Sequence, residues 1–405
     1  MITIKKPTMT VSNGRARLSA DLIVDKYAHP LWLEVDEQYG QYLCHERCDA
    51  FVVGILMWAM RQGHDIVSEA PMTDRLYEQL TEQFLPALYK INMFSRIRGI
   101  GCGWPVDIKV DLAPEVQHPL GGDAIGSGVS CGVDSLHVFA RHPEISHGCV
   151  WHAYGVVPEE TDDRRNAAWR NMKARAEAFC SHIGIDCIVA DTNFDRNCVD
   201  GLLWDGMTTY GNLFCVLALQ KLWAKYYVAS GYDIGDFMLT GVPMSDPAHY
   251  EWVLFSMLSM KNISVRMDGV AQNRVEKVKD IIDYEPAWQF LNVCHEITDD
   301  GRNCSFGCAK CMRTMLDLDV NGGLDRFRRV FDVEYYRRHF HEYLAEFYRG
   351  CLQGNSFAIE LKPYLATLKY TTTDRIAALK IVAKKSLKKL LRCGKTRQGK
   401  FSPRG

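Results

Sequence analysis

The chain has 405 residues, of which 47% are hydrophobic and 24% are charged, and its formal net charge is −1 at pH 7. A chain of this length and hydrophobic content can bury a large core and is expected to form two or three domains. The near-zero net charge excludes a global electrostatic attraction to nucleic acid or to an anionic membrane.

The cellular compartment is predicted from three features. The N-terminal segment MITIKKPTMTV lacks an apolar stretch, so we expect no signal peptide. The longest apolar run, AFVVGILMWAM at residues 50–60, is too short to cross a bilayer and predicts a buried helix. Fifteen cysteines without a secretion signal indicate a reducing compartment, where a cysteine cluster binds metal more often than it forms disulfides. The sequence therefore predicts a cytoplasmic protein.

The first 118 residues mix short strands with two helices. A strand is predicted at Leu31–Val35 and a helix over about Cys48–Arg61. A second helix is predicted from Thr73, because threonine is a good N-cap residue. We expect residues 1–118 to form an N-terminal α/β extension.

Residues 119–323 alternate strand and helix signals. Strands are expected from Gly148, Asp186, Asp236 and Ile263, and helices over Arg164–Ile183, Asn212–Ala229 and residues 272–282. Short apolar strands that alternate with longer helices predict an α/β fold, in which a parallel twisted sheet carries helices on both faces. Residues 324–405 are predicted to form a helical C-terminal extension, and its last 26 residues are strongly basic.

A glycine-rich stretch, GSGVSCGVDS at residues 126–135, precedes a predicted helix. A Walker loop would need a lysine and a different glycine spacing, and a dinucleotide loop would need a third glycine where Cys131 stands. The remaining pattern is S-x-G-x-D-S at Ser130–Ser135. Since backbone N–H groups at a helix N-terminus bind anions, we expect a phosphate site here. The alternative is a Gly/Ser turn that only caps the helix.

The residues of this loop are expected to act differently. Gly132 would let the backbone approach the phosphates, and hydroxyl groups would donate hydrogen bonds to them. Asp134 would repel a bare phosphate, so we expect it to act through Mg²⁺ or by holding the loop. Cys131 is interpreted as a small replacement for glycine, with a sulfur-carrying nucleophile as the less favoured interpretation. The candidate nucleotide-binding residues are Ser130, Cys131, Gly132, Val133, Asp134 and Ser135, of which Asp134 and Ser135 are also the candidate catalytic residues.

Four cysteines lie within eighteen residues, at the spacing C-x9-C-x3-C-x2-C: Cys294, Cys304, Cys308 and Cys311. Four thiolates at these separations can complete a tetrahedral zinc site, the closed arrangement of structural sites. The alternative is a set of buried free cysteines, which the clustering disfavours because the other eleven are scattered. The sequence therefore predicts a structural Zn²⁺ site.

The loop pattern resembles the S-G-G-x-D-S signature of the PP-loop ATP pyrophosphatases and departs from it at Cys131. A loop of this kind early in an α/β core, followed by a four-cysteine cluster at the end of that core, resembles 7-cyano-7-deazaguanine synthase. A third match is G-V-x-x-x-D at Gly241–Asp246, which makes Gly241 and Asp246 candidate nucleotide-binding residues. The resemblance covers about residues 122–320, which is half of the chain, and leaves both extensions uncovered.

The resemblance implies an ATP-dependent, AMP-forming ligase that uses ATP, Mg²⁺ and a structural Zn²⁺. In such an enzyme a substrate carboxylate attacks the α-phosphorus of ATP, and a nitrogen nucleophile then displaces AMP from the acyl adenylate. A 7-deazaguanine-like acid is the first candidate for the carboxylate. The nitrogen donor would be ammonia or an amine, including an amine on a protein. Extended relatives of this kind occur in bacterial defence and in surface-sugar modification, and the two extensions suit such a setting.

Two other functions stay open. A tRNA-modifying enzyme of the thiolation or lysidine type would use the same loop and would use the basic C-terminal tail as an arm for RNA. A non-catalytic nucleotide-binding partner protein would keep the fold without turnover. The basic tail is equally consistent with a solvated helix. No membrane partner is predicted, and the sequence is compatible with a homodimer.

Overall fold

The computed structural model describes residues 1–90, 105–116, 122–152, 162–194, 204–238, 247–294, 301–368 and 370–398. The chain forms two compact units, Met1–Ala271 and Gln272–Gly405. The zones inferred from the sequence, 1–118, 119–323 and 324–405, stay a prediction of domain organisation. The compact units divide at a different point, because strands from the first zone share a sheet with strands from the second.

The described strands are β1 (Ile2–Ile4), β2 (Thr8–Ser12), β3 (Arg15–Val24), β4 (Tyr27–Asp36), β5 (Ile66–Ser68), β6 (Met72–Thr73), β7 (Ile108–Lys109), β8 (Leu112–Ala113), β9 (Ala124–Gly128), β10 (His147–His152), β11 (Asp186–Thr192), β12 (Trp223–Ala229) and β13 (Ser264–Asp268). The α-helices described in the first unit are α1 (Asp49–Gln62), α2 (Asp74–Gln79), α3 (Val133–Arg141), α4 (Asp162–Ile183), α5 (Trp204–Ala218) and α6 (Glu251–Ser256). Those of the second unit are α7 (Arg274–Ile282), α8 (Glu285–Phe290), α9 (Ala309–Val320), α10 (Val333–Arg338), α11 (Phe340–Leu352), α12 (Ser356–Leu361) and α13 (Thr372–Gln398). None of the helices in the described residues is long and apolar enough to span a membrane.

One sheet of the first unit contains eleven of the described strands, in the order β13-β12-β9-β10-β11-β4-β3-β1-β5-β7, with β2 paired to β3. Its centre consists of β9 to β13, which all pair in parallel. The chain runs outward from β9 through β10 to β11 and then returns to the opposite side of β9 for β12 and β13. The structure therefore confirms an α/β fold with a mostly parallel central sheet and surrounding helices, and its strand order reverses at β9.

The N-terminal strands continue this sheet, with antiparallel pairing from β11 through β4 and β3 to β1 and parallel pairing from β1 through β5 to β7. Strand β4 pairs with β11, where Leu33 lies opposite Thr192. The side chain of Asn193 accepts a hydrogen bond from the Trp32 N–H at 2.9 Å and donates to the Pro30 carbonyl at 2.7 Å. These bonds satisfy backbone groups at the junction, so the N-terminal extension is continuous with the central sheet.

Helix α1 confirms the buried helix expected from the longest apolar run. Every residue from Asp49 to Met60 is buried. It packs against α5, where Phe51 and Phe214 meet edge to face with ring centroids 5.4 Å apart. A helix that is apolar all round is buried on all sides, as its composition requires.

Two sequence-based expectations in the middle of the chain are wrong. The helix predicted over Asn212–Ala229 ends at Ala218, and the remainder contains strand β12. The segment WAKYYVA is rich in aromatic residues and is hydrogen-bonded between β9 and β13, so tertiary pairing overrides the helical periodicity. The strand predicted from Asp236 is also not formed in its described part, because the Asp233 side chain caps a short 3₁₀ turn at Ile234–Asp236.

Gly126 lies in β9 where strand β12 approaches most closely, and its substitution should destabilise the protein. A Cβ atom at Gly126 would lie 2.6 Å from Cζ3 of Trp223 and 2.9 Å from Cδ2 of Tyr226. We therefore expect Gly126→Ala to lower the free energy of unfolding by about 1–3 kcal/mol through overpacking. Gly128→Ala is the matched control, because its Cβ would meet only the Tyr226 hydroxyl, at 3.9 Å. Equal urea midpoints for the two variants would contradict this account of Gly126.

Candidate functional site

A cavity of about 360 Å³ opens at the carboxyl ends of β9, β10 and β12. Gly128 at the end of β9 and Ala229 at the end of β12 both line it. In open parallel sheets, ligands bind outside the carboxyl ends of the strands where the strand order reverses. The cavity lies at this point of the sheet.

The predicted phosphate loop forms one wall of this cavity. Ser130, Asp134 and Ser135 line it, and Gly132 is the N-cap residue of α3. Helix α3 thus begins at the cavity, and its first turn contains Asp134. Val133, also in that turn, is fully buried and anchors the helix in the core.

The two loop serines hold the loop together. The Ser130 hydroxyl donates to Oγ of Ser135 at 3.1 Å and accepts the Gly132 N–H at 3.2 Å. The Ser135 hydroxyl in turn lies 3.3 Å from the Gly132 carbonyl oxygen. Ser135 is buried, whereas Ser130 is exposed. The hydroxyl groups therefore fix the loop geometry, and their predicted role as phosphate donors stays a prediction.

Cys131 replaces the expected glycine and adopts a conformation that favours glycine. Its φ angle is 56°, in the left-handed region that side chains with a Cβ rarely adopt. Its side chain is buried, and burial raises the pKa of the thiol to about 12. The thiol is therefore protonated at neutral pH, which disfavours a thiolate nucleophile and supports its interpretation as a substitute for glycine.

Substitutions at Cys131 should separate backbone strain from packing. Cys131→Gly and Cys131→Ala both remove the thiol, but only glycine relieves the left-handed conformation. We expect the glycine variant to be more stable than the alanine variant by about 1 kcal/mol and to keep whatever nucleotide turnover the protein has. Urea denaturation and a turnover assay test both points. If the alanine variant is active and the glycine variant is not, the interpretation of Cys131 is wrong.

Residues from three further elements also line the cavity, and of these only Asn212 had a weak match to the family pattern, in YGNLF at Tyr210–Phe214. Helix α5 contributes Thr209 and Asn212, strand β12 contributes Tyr226 and Tyr227, and helix α6 contributes Glu251. The Thr209 hydroxyl donates a hydrogen bond to the Glu251 carboxylate. These residues come together only in the folded sheet. Sequence patterns could not predict this, because β12 was predicted to be helical and no short motif joins α5 to α6.

The four cysteines form a second candidate site, in the second unit. Their sulfur atoms all lie within 4.8 Å of one another, and the Cys304 and Cys311 sulfurs are 3.6 Å apart. Zn–S bonds of about 2.3 Å place the sulfurs of a tetrahedral site about 3.8 Å apart. The cysteines are thus positioned to bind a metal ion, and their four thiol groups are compatible with zinc.

The chain around the cysteines is built as a rigid frame. The buried side chain of Asn303 accepts the N–H groups of Val293 and Cys294 at 2.8 and 3.0 Å. Ser305 and Gly307 have φ angles of 59° and 89°, so the chain turns sharply between Cys304 and Cys308. This turn brings the second and third cysteines together, and Asn303 holds the first cysteine beside them.

Burial and the crowding of the thiol groups raise the pKa of two of the four cysteines. Burial, with the neighbouring Cys294 thiol, raises the pKa of Cys304 to about 11. Burial and the charges of Cys308 and Cys294 also raise the pKa of Cys311. Thiolates at these separations repel one another, and a divalent cation bound between them would offset that repulsion.

The remaining predicted site residues, Gly241 and Asp246, lie outside the described residues. Comparison of the chain with protein-family models, with curated proteins and with solved structures finds no match.

Proposed function

We propose that this chain is an ATP-dependent, AMP-forming ligase that adenylates a substrate carboxylate and joins it to a nitrogen nucleophile. One observation carries the proposal: the S-x-G-x-D-S loop lines the cavity at the carboxyl ends of the parallel strands, where the strand order reverses. The volume of about 360 Å³ lies within the range of small-molecule sites.

The loop fits the phosphates of a nucleotide. The first turn of α3 offers backbone N–H groups with no partners inside the helix, and the helix dipole favours an anion there. Asp134 is the carboxylate in the first turn of this helix and would hold Mg²⁺, because Mg²⁺ prefers carboxylate and phosphate oxygens. Mg²⁺, when bound, would neutralise phosphate charge as the α-phosphorus is attacked.

The loop lacks lysine, and this composition favours pyrophosphate as the leaving group over transfer of the γ-phosphoryl group. A Walker lysine reaches the terminal phosphates, whereas this loop has hydroxyl, thiol, backbone amide and carboxylate groups and no cationic side chain. Ser130 and Ser135 would hold the loop in place, and Asp134 would orient the polyphosphate. The contribution of the protein is orientation and charge stabilisation rather than covalent catalysis.

The cavity walls also suit a flat heterocycle. Trp151, Tyr226, Tyr227 and Phe255 line the cavity. Aromatic rings stack on planar bases, which supports both the adenine of ATP and a 7-deazaguanine-like acid as the carboxylate substrate. Gly241 and Asp246 are proposed as further nucleotide-binding residues on the motif alone, and Zn²⁺ on the four cysteines is proposed to have a structural role.

The test is an incubation of the purified protein with ATP, Mg²⁺ and 7-carboxy-7-deazaguanine, with and without ammonia. We expect AMP and pyrophosphate to form only when the acid is present. Because the two extensions provide surface for a larger amine, we expect an amide or conjugate as the product rather than a nitrile. Mass spectrometry of the products distinguishes these outcomes.

The same assay separates the other function classes. Rapid nitrile formation at low ammonia would contradict the conjugation reaction. AMP formation that requires tRNA would favour the tRNA-modifying alternative. The absence of AMP with any such acid would remove the heterocycle from the proposal, and nucleotide binding without turnover would favour a non-catalytic partner protein.

A further inference from the structure

The residues that line the nucleotide cavity include a carboxylate that does not belong to the phosphate loop. Glu251 is the first residue of α6, and Thr209, which is buried on α5, donates its hydroxyl hydrogen bond to it. Both residues line the cavity. A polyphosphate is anionic, so a further carboxylate in the cavity does not help to bind it. The Glu251 carboxylate is better suited to a part of a ligand that carries a positive charge or N–H groups.

Aromatic residues lie next to Thr209 and Glu251 along the chain. Tyr210 and Tyr250, which flank Thr209 and Glu251 in the sequence, are both fully buried. Phe255 lies one turn along α6 from Glu251 and also lines the cavity. A ligand that fills the cavity would displace water from the half-buried Glu251 carboxylate, and a hydrogen bond from that ligand would then be stronger than one at the surface.

We propose that Glu251 binds the nitrogen nucleophile of the second half-reaction, which is ammonia or a primary amine. This inference rests on the proposed ligase function. The nitrogen donates one N–H to the Glu251 carboxylate and attacks the carbonyl carbon of the acyl adenylate with its lone pair. The new C–N bond forms, the C–O bond to AMP breaks, and AMP leaves with the electron pair.

The proton lost by the nitrogen passes to Glu251 and then to solvent. The overall balance is carboxylate, ATP and amine giving amide, AMP, pyrophosphate and one proton. Thr209 acts as a positioning residue, because its hydroxyl group fixes the carboxylate towards the cavity. In this proposal the phosphate loop serves adenylation, and Glu251 serves aminolysis.

The experiment compares the two half-reactions in wild type and in Glu251→Gln, with 7-carboxy-7-deazaguanine as the acid. Acid-dependent exchange of labelled pyrophosphate into ATP reports adenylation, and amide formation from ammonia reports aminolysis. We expect Glu251→Gln to lower amide formation by about 10²–10⁴-fold, the range for loss of a general base, with exchange within about threefold of wild type. Hydroxylamine, which is neutral at pH 7 and strongly nucleophilic, should restore product formation.

Further variants test the positioning. Glu251→Asp should recover part of the aminolysis rate, and Thr209→Val should lower aminolysis less than Glu251→Gln does, again without loss of exchange. Glu69→Gln, a matched change of an exposed glutamate outside the cavity, should leave both half-reactions unchanged. Thr209→Val also serves if the glutamine variant does not fold.

The outcomes distinguish this inference from the proposed function. If wild type exchanges pyrophosphate and Glu251→Gln slows exchange as much as amide formation, then Glu251 acts in adenylation, as a ligand of Mg²⁺ or ATP would, and the inference is overturned alone. If hydroxylamine gives no rescue, a role in proton transfer is overturned. If wild type shows no acid-dependent exchange, the proposed function fails, and this inference fails with it.

Discussion

Asp134→Ala is expected to reduce acid-dependent pyrophosphate release by about 100-fold or more, while the chain stays folded. Asp134 lies in the first turn of α3 and on the wall of the cavity, at the place where the phosphates are proposed to bind. Without the carboxylate, the loop loses the group that is proposed to hold Mg²⁺ beside the polyphosphate. Binding of ATP and orientation of the leaving group should both suffer.

The cost to folding should be small. Asp134 is only half-buried, so the substitution leaves no large cavity, and the lost interaction with the helix dipole is worth about 0.3–1 kcal/mol. Asp74→Ala is the matched control, because Asp74 is also in the first turn of a helix, α2, and does not line the cavity. Its stability should fall by a similar amount while turnover is unchanged. Normal pyrophosphate release in Asp134→Ala would mean that the loop is a structural turn.

The second large effect is expected at the cysteine cluster. Freshly purified protein should contain about one zinc ion per chain, measured by elemental analysis. Cys308→Ser should lose this metal and lower the free energy of unfolding of the second unit by about 4 kcal/mol or more, because the binding energy of a structural metal is part of the folding energy. Soluble yield should therefore fall more than activity per folded molecule.

A cysteine outside the cluster provides the control. Cys351 lies in α11 of the same unit and makes a single weak hydrogen bond to the Ala358 carbonyl, with sulfur and oxygen 3.6 Å apart. Cys351→Ser should keep the metal and change stability by less than about 1 kcal/mol. A chelator should destabilise wild type and Cys351→Ser but not Cys308→Ser. Protein that is purified without any metal and is equally stable would show that the four cysteines are free thiols.

Much of the site's local chemistry could be predicted from the sequence. The motif at Ser130–Ser135 leads into a helix, which begins at Val133 within the motif, and the motif lines the cavity. The spacing of the four cysteines was sufficient to predict their convergence, because a sharp turn of three residues between Cys304 and Cys308 is a short-range property of the chain. The buried helix α1 followed from composition alone, since a run of apolar residues has no solvated face.

The tertiary structure decided what depends on contacts between distant residues. Strand β12 has a sequence that periodicity assigns to a helix, and only its hydrogen bonds to β9 and β13 make it a strand. That assignment completes the sheet, places Tyr226 in the cavity and reveals Gly126 as a position of close packing.

The pairing of Thr209 with Glu251 in the cavity lining could likewise not be predicted from sequence patterns. Thr209 and Glu251 are 42 residues apart and belong to no common motif, yet their side chains are hydrogen-bonded on one wall. The N-terminal strands also join the central sheet through β4 and β11. The sequence-based zones had assigned these two strands to separate domains. Local patterns are specified by neighbouring residues and can be recognised in a sequence, whereas strand pairing and side-chain convergence depend on long-range packing that only the folded chain defines.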